Sequence, residues 1–228
     1  MGFAVDFCAI FFGCILGGIF KNKINFKSFF ALSVGVMLIS AVGLLENILS
    51  VSGEKIVCKD AVILCIALII GYLIGDAMKL EDRIYGLSRA QTSGTSGFID
   101  SVLFFGIGGL QLSGPILYAL EKDSLQLIMK GLVDFPFALI LGATYGKIAA
   151  LSAPVVTGAQ LIIWLAACLC GNFLSDSLVR QICSIGYIML FFSGFNMISS
   201  PKSKIKNINF LPSMGLVIIY SIFLEVIL

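Results

Sequence analysis

The chain contains no histidine, and only 12% of its 228 residues carry charge. The first absence removes Ser-His and Cys-His catalysis, together with the usual imidazole ligands of zinc and haem. The second excludes an ordinary soluble globule, in which about 25% of residues are charged. Seven cysteines are present, but Cys8, Cys14, Cys58, Cys65, Cys168, Cys170 and Cys183 show no CxxC spacing and mostly lie in apolar segments. Such thiols read as small apolar filler. The net charge of +2 is scattered, with no run of like charge, so a nucleic-acid partner is not expected. An enzymatic role is not expected either. The opening stretch lacks the basic region of a cleavable signal and is expected to stay as the first span.

What the chain does have is apolar sequence: 59% hydrophobic residues and a mean hydropathy of +1.06. Runs long enough to cross a hydrocarbon core of roughly 30 Å recur along its whole length. The pattern predicts an all-α, polytopic integral membrane bundle forming a single transmembrane domain over residues 1–228. About eight helices are expected, at residues 3–20, 29–49, 61–78, 98–120, 125–145, 153–174, 182–198 and 208–228. Alternate loops then collect Lys21, Lys23, Lys27, Lys79, Arg83, Arg89, Lys147, Lys202, Lys204 and Lys206. Lys55, Lys59, Lys122, Lys130 and Arg180 fall on the opposite side, which puts both termini outside. In the longest loop, Leu80, Ile84 and Leu87 at helical spacing suggest an interfacial helix, followed by a hinge, Thr92-Ser93-Gly94-Thr95-Ser96-Gly97.

The most informative residue is Asp134, near the middle of the fifth span. A carboxylate in hydrocarbon is costly unless a partner, an ion or water solvates it, so such residues mark pathways or ion sites. Lys130 stands four residues earlier on the same helical face, and Pro136 removes a backbone donor just beyond. Asp134 is therefore the counter-ion of Lys130, an acceptor for a hydroxyl or amide of a neighbouring helix, or a proton or cation site. Lys130 is expected to snorkel toward the outer surface, leaving Asp134 for function. The fourth span carries Gly106, Gly108, Gly109, Gln111, Ser113, Gly114 and Pro115, a density of helix breakers that suits a broken helix beside a cavity. Close helix packing is the alternative use of those glycines.

Asp6, Asp76, Gln160, Asn196, Ser193 and Ser199 are weaker polar candidates. Asp6 and Asp76 are near span ends and are expected to be hydrated, whereas Asn196 lies deeper and needs a partner. The candidate substrate or ion site is thus Asp134, Asn196, Gln111, Gly108, Gly109, Ser113, Asp76 and Lys130, with no metal ligand set. Three GxxxG pairs, Gly13/Gly17, Gly71/Gly75 and Gly142/Gly146, read as helix-packing sites. Leu103-Phe104-Phe105 leading to Ser113-Gly114-Pro115 is echoed by Leu190-Phe191-Phe192 leading to Ser199-Ser200-Pro201. The two helices run oppositely, as a possible inverted repeat of spans two to four and five to seven requires.

The tail Ser193-Gly194-Phe195-Asn196-Met197, followed by Lys204-Ile205-Lys206-Asn207-Ile208-Asn209-Phe210-Leu211-Pro212, resembles the end of the bacterial YqgA/YdfK-like family, domain of unknown function 554. Gly71-Tyr72-Leu73-Ile74-Gly75-Asp76-Ala77-Met78-Lys79-Leu80-Glu81 and Ser152-Ala153-Pro154 fit the same order. Asp6, Asp76, Gly109-Leu110-Gln111 and Phe135 depart from its usual pattern. The resemblance implies a bacterial inner-membrane protein, from a family loosely described as candidate sodium channels or pumps. It also supports Asp134 and Asn196 as motif positions.

These readings lead to a secondary transporter or channel for a small cation or small solute, with Na+ or H+ coupling and no bound cofactor. The alternative is a non-transporting scaffold whose partner docks on residues 79–97. Expected partners are the lipid bilayer, a small ion or solute, and a second copy of the chain.

Overall fold

In lipid the backbone must satisfy its own hydrogen bonds, so nearly continuous apolar sequence folds as helices. The computed structural model describes residues 1–20, 26–52, 55–58, 60–89, 96–106, 109–170, 175–200 and 203–227. Among the described residues ten α-helices follow one another: α1 (Gly2–Ile19), α2 (Phe26–Ile48), α3 (Ala61–Ala77), α4 (Leu80–Arg89), α5 (Ser96–Gly106), α6 (Gly109–Glu121), α7 (Leu125–Tyr145), α8 (Ser152–Cys170), α9 (Asp176–Ile198) and α10 (Leu211–Ile227). Short 3-10 turns at Gly146–Leu151 and Asn207–Phe210 precede α8 and α10.

By length and composition, Gly2–Ile19, the 45-residue run Leu125–Leu169 and Asp176–Asn196 can each cross a membrane. Gly97–Gly106 and Leu110–Glu121 make a fourth if counted as one span bent by 50°. Ser33–Ile48, Ala61–Ala77 and Asn207–Ser221 are shorter apolar helices. The 45-residue run is not one rod. Straight, it would put residues 130 and 160 about 45 Å apart, yet Lys130 and Gln160 both reach the same Asp6 oxygen. The chain therefore turns back near Gly146, whose φ of +79° suits glycine.

Two expectations need correction. The link after α2 holds an antiparallel hairpin, Leu49–Ser52 against Lys55–Cys58, rather than plain loop. The seventh apolar segment begins two turns early, because Ser175 caps α9 by accepting from the Leu178 amide at 3.3 Å. A helix is present over the segment expected to be interfacial, as α4, while residues 92–95 of the expected hinge lie outside the described residues.

Glycines set a close crossing between α1 and α7. A Cβ on Gly17 would overlap the Leu139 backbone, one on Gly142 the Cys14 backbone, and one on Gly13 would sit 2.6 Å from the Ala138 Cβ. The Gly13/Gly17 pair and Gly142 thus contribute to one interface, and Gly71 and Gly75 do the same for α3 against Ser213 and Asn209. Gly146 meets nothing within 4 Å and serves the turn instead. Around the α1–α7 pair, Ile10, Cys14, Val133, Phe137, Ala138 and Val156 form one buried cluster. Leu64, Leu178, Ile185, Met189 and Val217 form a second between α3, α9 and α10.

Candidate functional site

The α1–α7 crossing brings distant charges together. Gly131, next in sequence to Lys130, lets α1 pass so closely that an added Cβ would stand 3.2 Å from the Asp6 Cα. Lys130 Nζ donates to Asp6 Oδ2 at 2.9 Å and also to Asp134 Oδ2, one turn along α7. From α8, Gln160 Nε2 donates to Asp6 Oδ2 at 2.7 Å and to Gln111 Oε1 of α6 at 3.1 Å. Gln111 Nε2 donates in turn to the Val156 carbonyl at 3.0 Å. Four helices therefore meet in one polar chain.

This chain is dry. Asp6 and Gln160 are 0% exposed, Lys130 3% and Asp134 7%. Two carboxyl groups share one ammonium in a low-dielectric interior, where charges need partners or expel one another. Asp6 Oδ1 and Gln160 Oε1 are buried with no hydrogen-bond partner among the described residues. Beside the pair lies a cavity of about 30 Å3, bounded by Gln111, Lys130, Asp134, Phe104, Phe137 and Ser193. That is room for one or two water molecules or a small cation. Asp134 lines this cavity, whereas Asp6 is held from two sides by Lys130 and Gln160.

The structure thus unites three expected site residues: Asp134, Lys130 and Gln111. It corrects two environments. Lys130 does not snorkel away, because two carboxylates hold it inside, and Asp6 is fully buried rather than hydrated. Ser113 is buried two residues from Gln111, on the other face of α6 and not among the residues lining the cavity. Gly109 begins α6, and Gly108 lies outside the described residues.

Asn196 and Asp76 are not brought to this cluster. The Asn196 amide donates to the Ile205 carbonyl at 2.7 Å and accepts from the Ile205 amide at 2.8 Å, clamping the segment after α9. Asp76 is exposed where α3 ends, accepts from Asn209 Nδ2 at 3.2 Å and lies 3.9 Å from Lys206 Nζ. Lys206 also donates to Asp82 at 2.7 Å, and Glu81 accepts from the Ile208 amide at 3.1 Å, so α4 is pinned to the 3-10 turn that precedes α10. Burial raises the Glu81 carboxyl pKa above its usual value, against the pull of the Ile208 N–H and Lys206.

Asp6 and Gln160 do not stand out in the sequence as members of this cluster. Their partners are 124 and 154 residues away, so no local spacing announces them. The only local signal is Gly131 beside Lys130, a small residue where another backbone must pass. Among the described residues no three His, Cys, Asp or Glu side chains are grouped to hold a metal ion.

Apolar helices of membrane-crossing length around a buried, hydrogen-bonded charge cluster define a helical membrane protein. The chain belongs to the family described as "Protein of unknown function (DUF554)", whose model matches residues 1–222. It is also 30% identical over 204 residues to "Uncharacterized membrane protein YdfK" of Bacillus subtilis (strain 168), covering 89% of this chain and 87% of that protein. No solved structure matches the chain.

Proposed function

We propose that this protein is a multi-pass bacterial inner-membrane transporter or channel for a small cation, and that Asp134 is its ion or proton site. In this reading α1, α2, α3, the bent α5–α6 pair, α7, α8, α9 and α10 supply eight crossings. The lysine and arginine bias puts both termini outside. The echo between α5–α6 and α9 is then one arm of an inverted repeat, which requires a pseudo-two-fold axis in the membrane plane.

The supporting observation is the Asp6–Lys130–Asp134 arrangement beside a water-sized cavity. The Lys130 ammonium acts as a resident cation. A proton or Na+ arriving through the cavity competes for Asp134, the carboxylate that faces it, while Lys130 stays with Asp6. Gln111 offers amide dipoles along the same wall. Binding and release at Asp134 then change the charge between α7 and its neighbours, which is what a gating step needs.

A scaffold role is the second reading, favoured by the fact that Lys130 already has both carboxylates as partners. Thermal unfolding in detergent across a panel of cations separates the two. The transport reading expects the transported cation to raise the wild-type Tm and leave Asp134→Asn unmoved. A lowered Tm in Asp134→Asn, with no cation response in either protein, would favour the scaffold.

A further inference from the structure

Asp6, Asp134 and Lys130 together leave the buried cluster with one negative charge in excess, two carboxylates against one ammonium. Among the described residues, Cys14 of α1 is the other titratable side chain that interacts with Asp134. From α5, α6, α8 and α9 the cluster meets Phe104, Gln111, Gln160 and Ser193, none of them charged. An unbalanced charge in so dry an interior calls for one positive ion.

The cavity wall selects which ion. A dehydrated Na+ needs a shell of oxygens in place of its lost water. The side-chain oxygens bordering the 30 Å3 cavity belong to Asp134, Gln111 and Ser193, and its other lining is the Lys130 ammonium, which repels a cation, with apolar Phe104, Phe105, Leu110, Val133, Phe137 and Leu190. Gln111 Oε1 already accepts from Gln160, while Ser193 Oγ donates to the Met189 carbonyl and accepts from Asn207. A proton needs a single lone pair. The orphan acceptors agree. Asp6 Oδ1 and Gln160 Oε1 belong to side chains joined by one hydrogen bond, are sealed from solvent and do not border the cavity, so an ion seated there cannot satisfy them. A hydrogen on Asp6 Oδ1 turns the first orphan into a donor, and the second is an acceptor in want of one.

We propose that the ligand of this cluster is the proton, one per chain, shared by Asp6 and Asp134, and that Na+ is excluded. A hydronium reaching the cavity gives its proton to Asp134 and remains as water. The carboxylate becomes a carboxylic acid, and the cluster passes from one negative charge to none. Lys130 then stays with whichever carboxylate is still ionised, so the two acids titrate as a pair. What the bound proton drives rests on the transport reading above; that it binds does not.

Infrared difference spectroscopy of the full chain in phosphatidylcholine liposomes tests this. Acidifying wild type should bring up the C=O stretch of a buried protonated carboxyl, which shifts down in D2O. Asp134→Asn should lose that band. Asp6→Asn should lose it too, although Asp6 does not border the cavity, because either change leaves one carboxylate on one ammonium. Both variants keep Lys130 paired, and exposed carboxyls cancel in the wild-type-minus-variant spectrum. Replacing K+ by Na+ at fixed pH should leave the wild-type carboxylate bands unmoved, a measurement that needs no variant. A Na+-induced shift that Asp134→Asn abolishes would overturn the proton assignment and keep the transport reading. No buried-carboxyl band in wild type, or one retained in either variant, would overturn it as well. The expected bands in a protein that carries no ion into liposomes would end the transport reading and leave the proton site standing.

Discussion

Lys130 Nζ sits 2.9 Å from Asp6 Oδ2, an ion pair joining helices whose sequences are 124 residues apart. Both side chains are at most 4% exposed, so neither charge has water to fall back on. Removing one member of a buried pair strands the other, at a cost of about 3–5 kcal/mol. Lys130→Met, which strands two carboxylates, should therefore lower stability by that order in detergent unfolding. Adding Asp134→Asn to Lys130→Met should cost less than the sum of the single changes. Strict additivity would mean that the two side chains do not interact.

The α1–α7 crossing predicts a contrast between two glycines. At Gly17 a methyl group would run into the Leu139 backbone, which cannot swing aside. Gly17→Ala should cost about 1–3 kcal/mol and loosen the contact on which the ion pair depends. At Gly158, inside α8, nothing lies within 4 Å of an added Cβ. Gly158→Ala should be neutral or stabilising by up to about 1 kcal/mol through helix propensity. Equal losses at both positions, read as unfolding midpoints, would contradict this packing.

Glu81 gives a pH signature away from the membrane core. Its folded pKa is raised, first by burial, so ionisation is less favourable in the folded protein than in the unfolded chain. Its contribution to stability is therefore greatest below the unfolded carboxylate pKa and declines as pH rises through the folded value. The Tm of wild type minus that of Glu81→Gln should fall across that window and then level off. A difference that grows with pH would show that the Ile208 amide and Lys206 outweigh burial.

What was legible in the sequence follows from the range of each interaction. Apolar runs and polar punctuation act locally, so α1, α3 and α7 begin and end within a residue or two of expectation. Lys130 and Asp134 were legible as a pair because four residues separate them on one helix. Gln111 stood out as an amide in lipid-crossing sequence. Asp6 was misplaced because distance from a helix end says nothing about which helix covers it, and α7 covers Asp6 through Gly131. Asn196 was rightly seen to need a partner, but that partner is the Ile205 backbone rather than the Asp134 cluster. The hairpin is not legible in the sequence because two four-residue strands offer too little alternation to compete with a loop.

The measurement closest to the central claim is cation flux into liposomes holding the purified full chain, under imposed Na+, K+ and pH gradients. Wild type should carry a small cation, and Asp134→Asn, folded as judged by its unfolding transition, should lose that flux. A folded Asp134→Asn protein that moves every cation as fast as wild type would contradict the assignment of this carboxylate as the ion site.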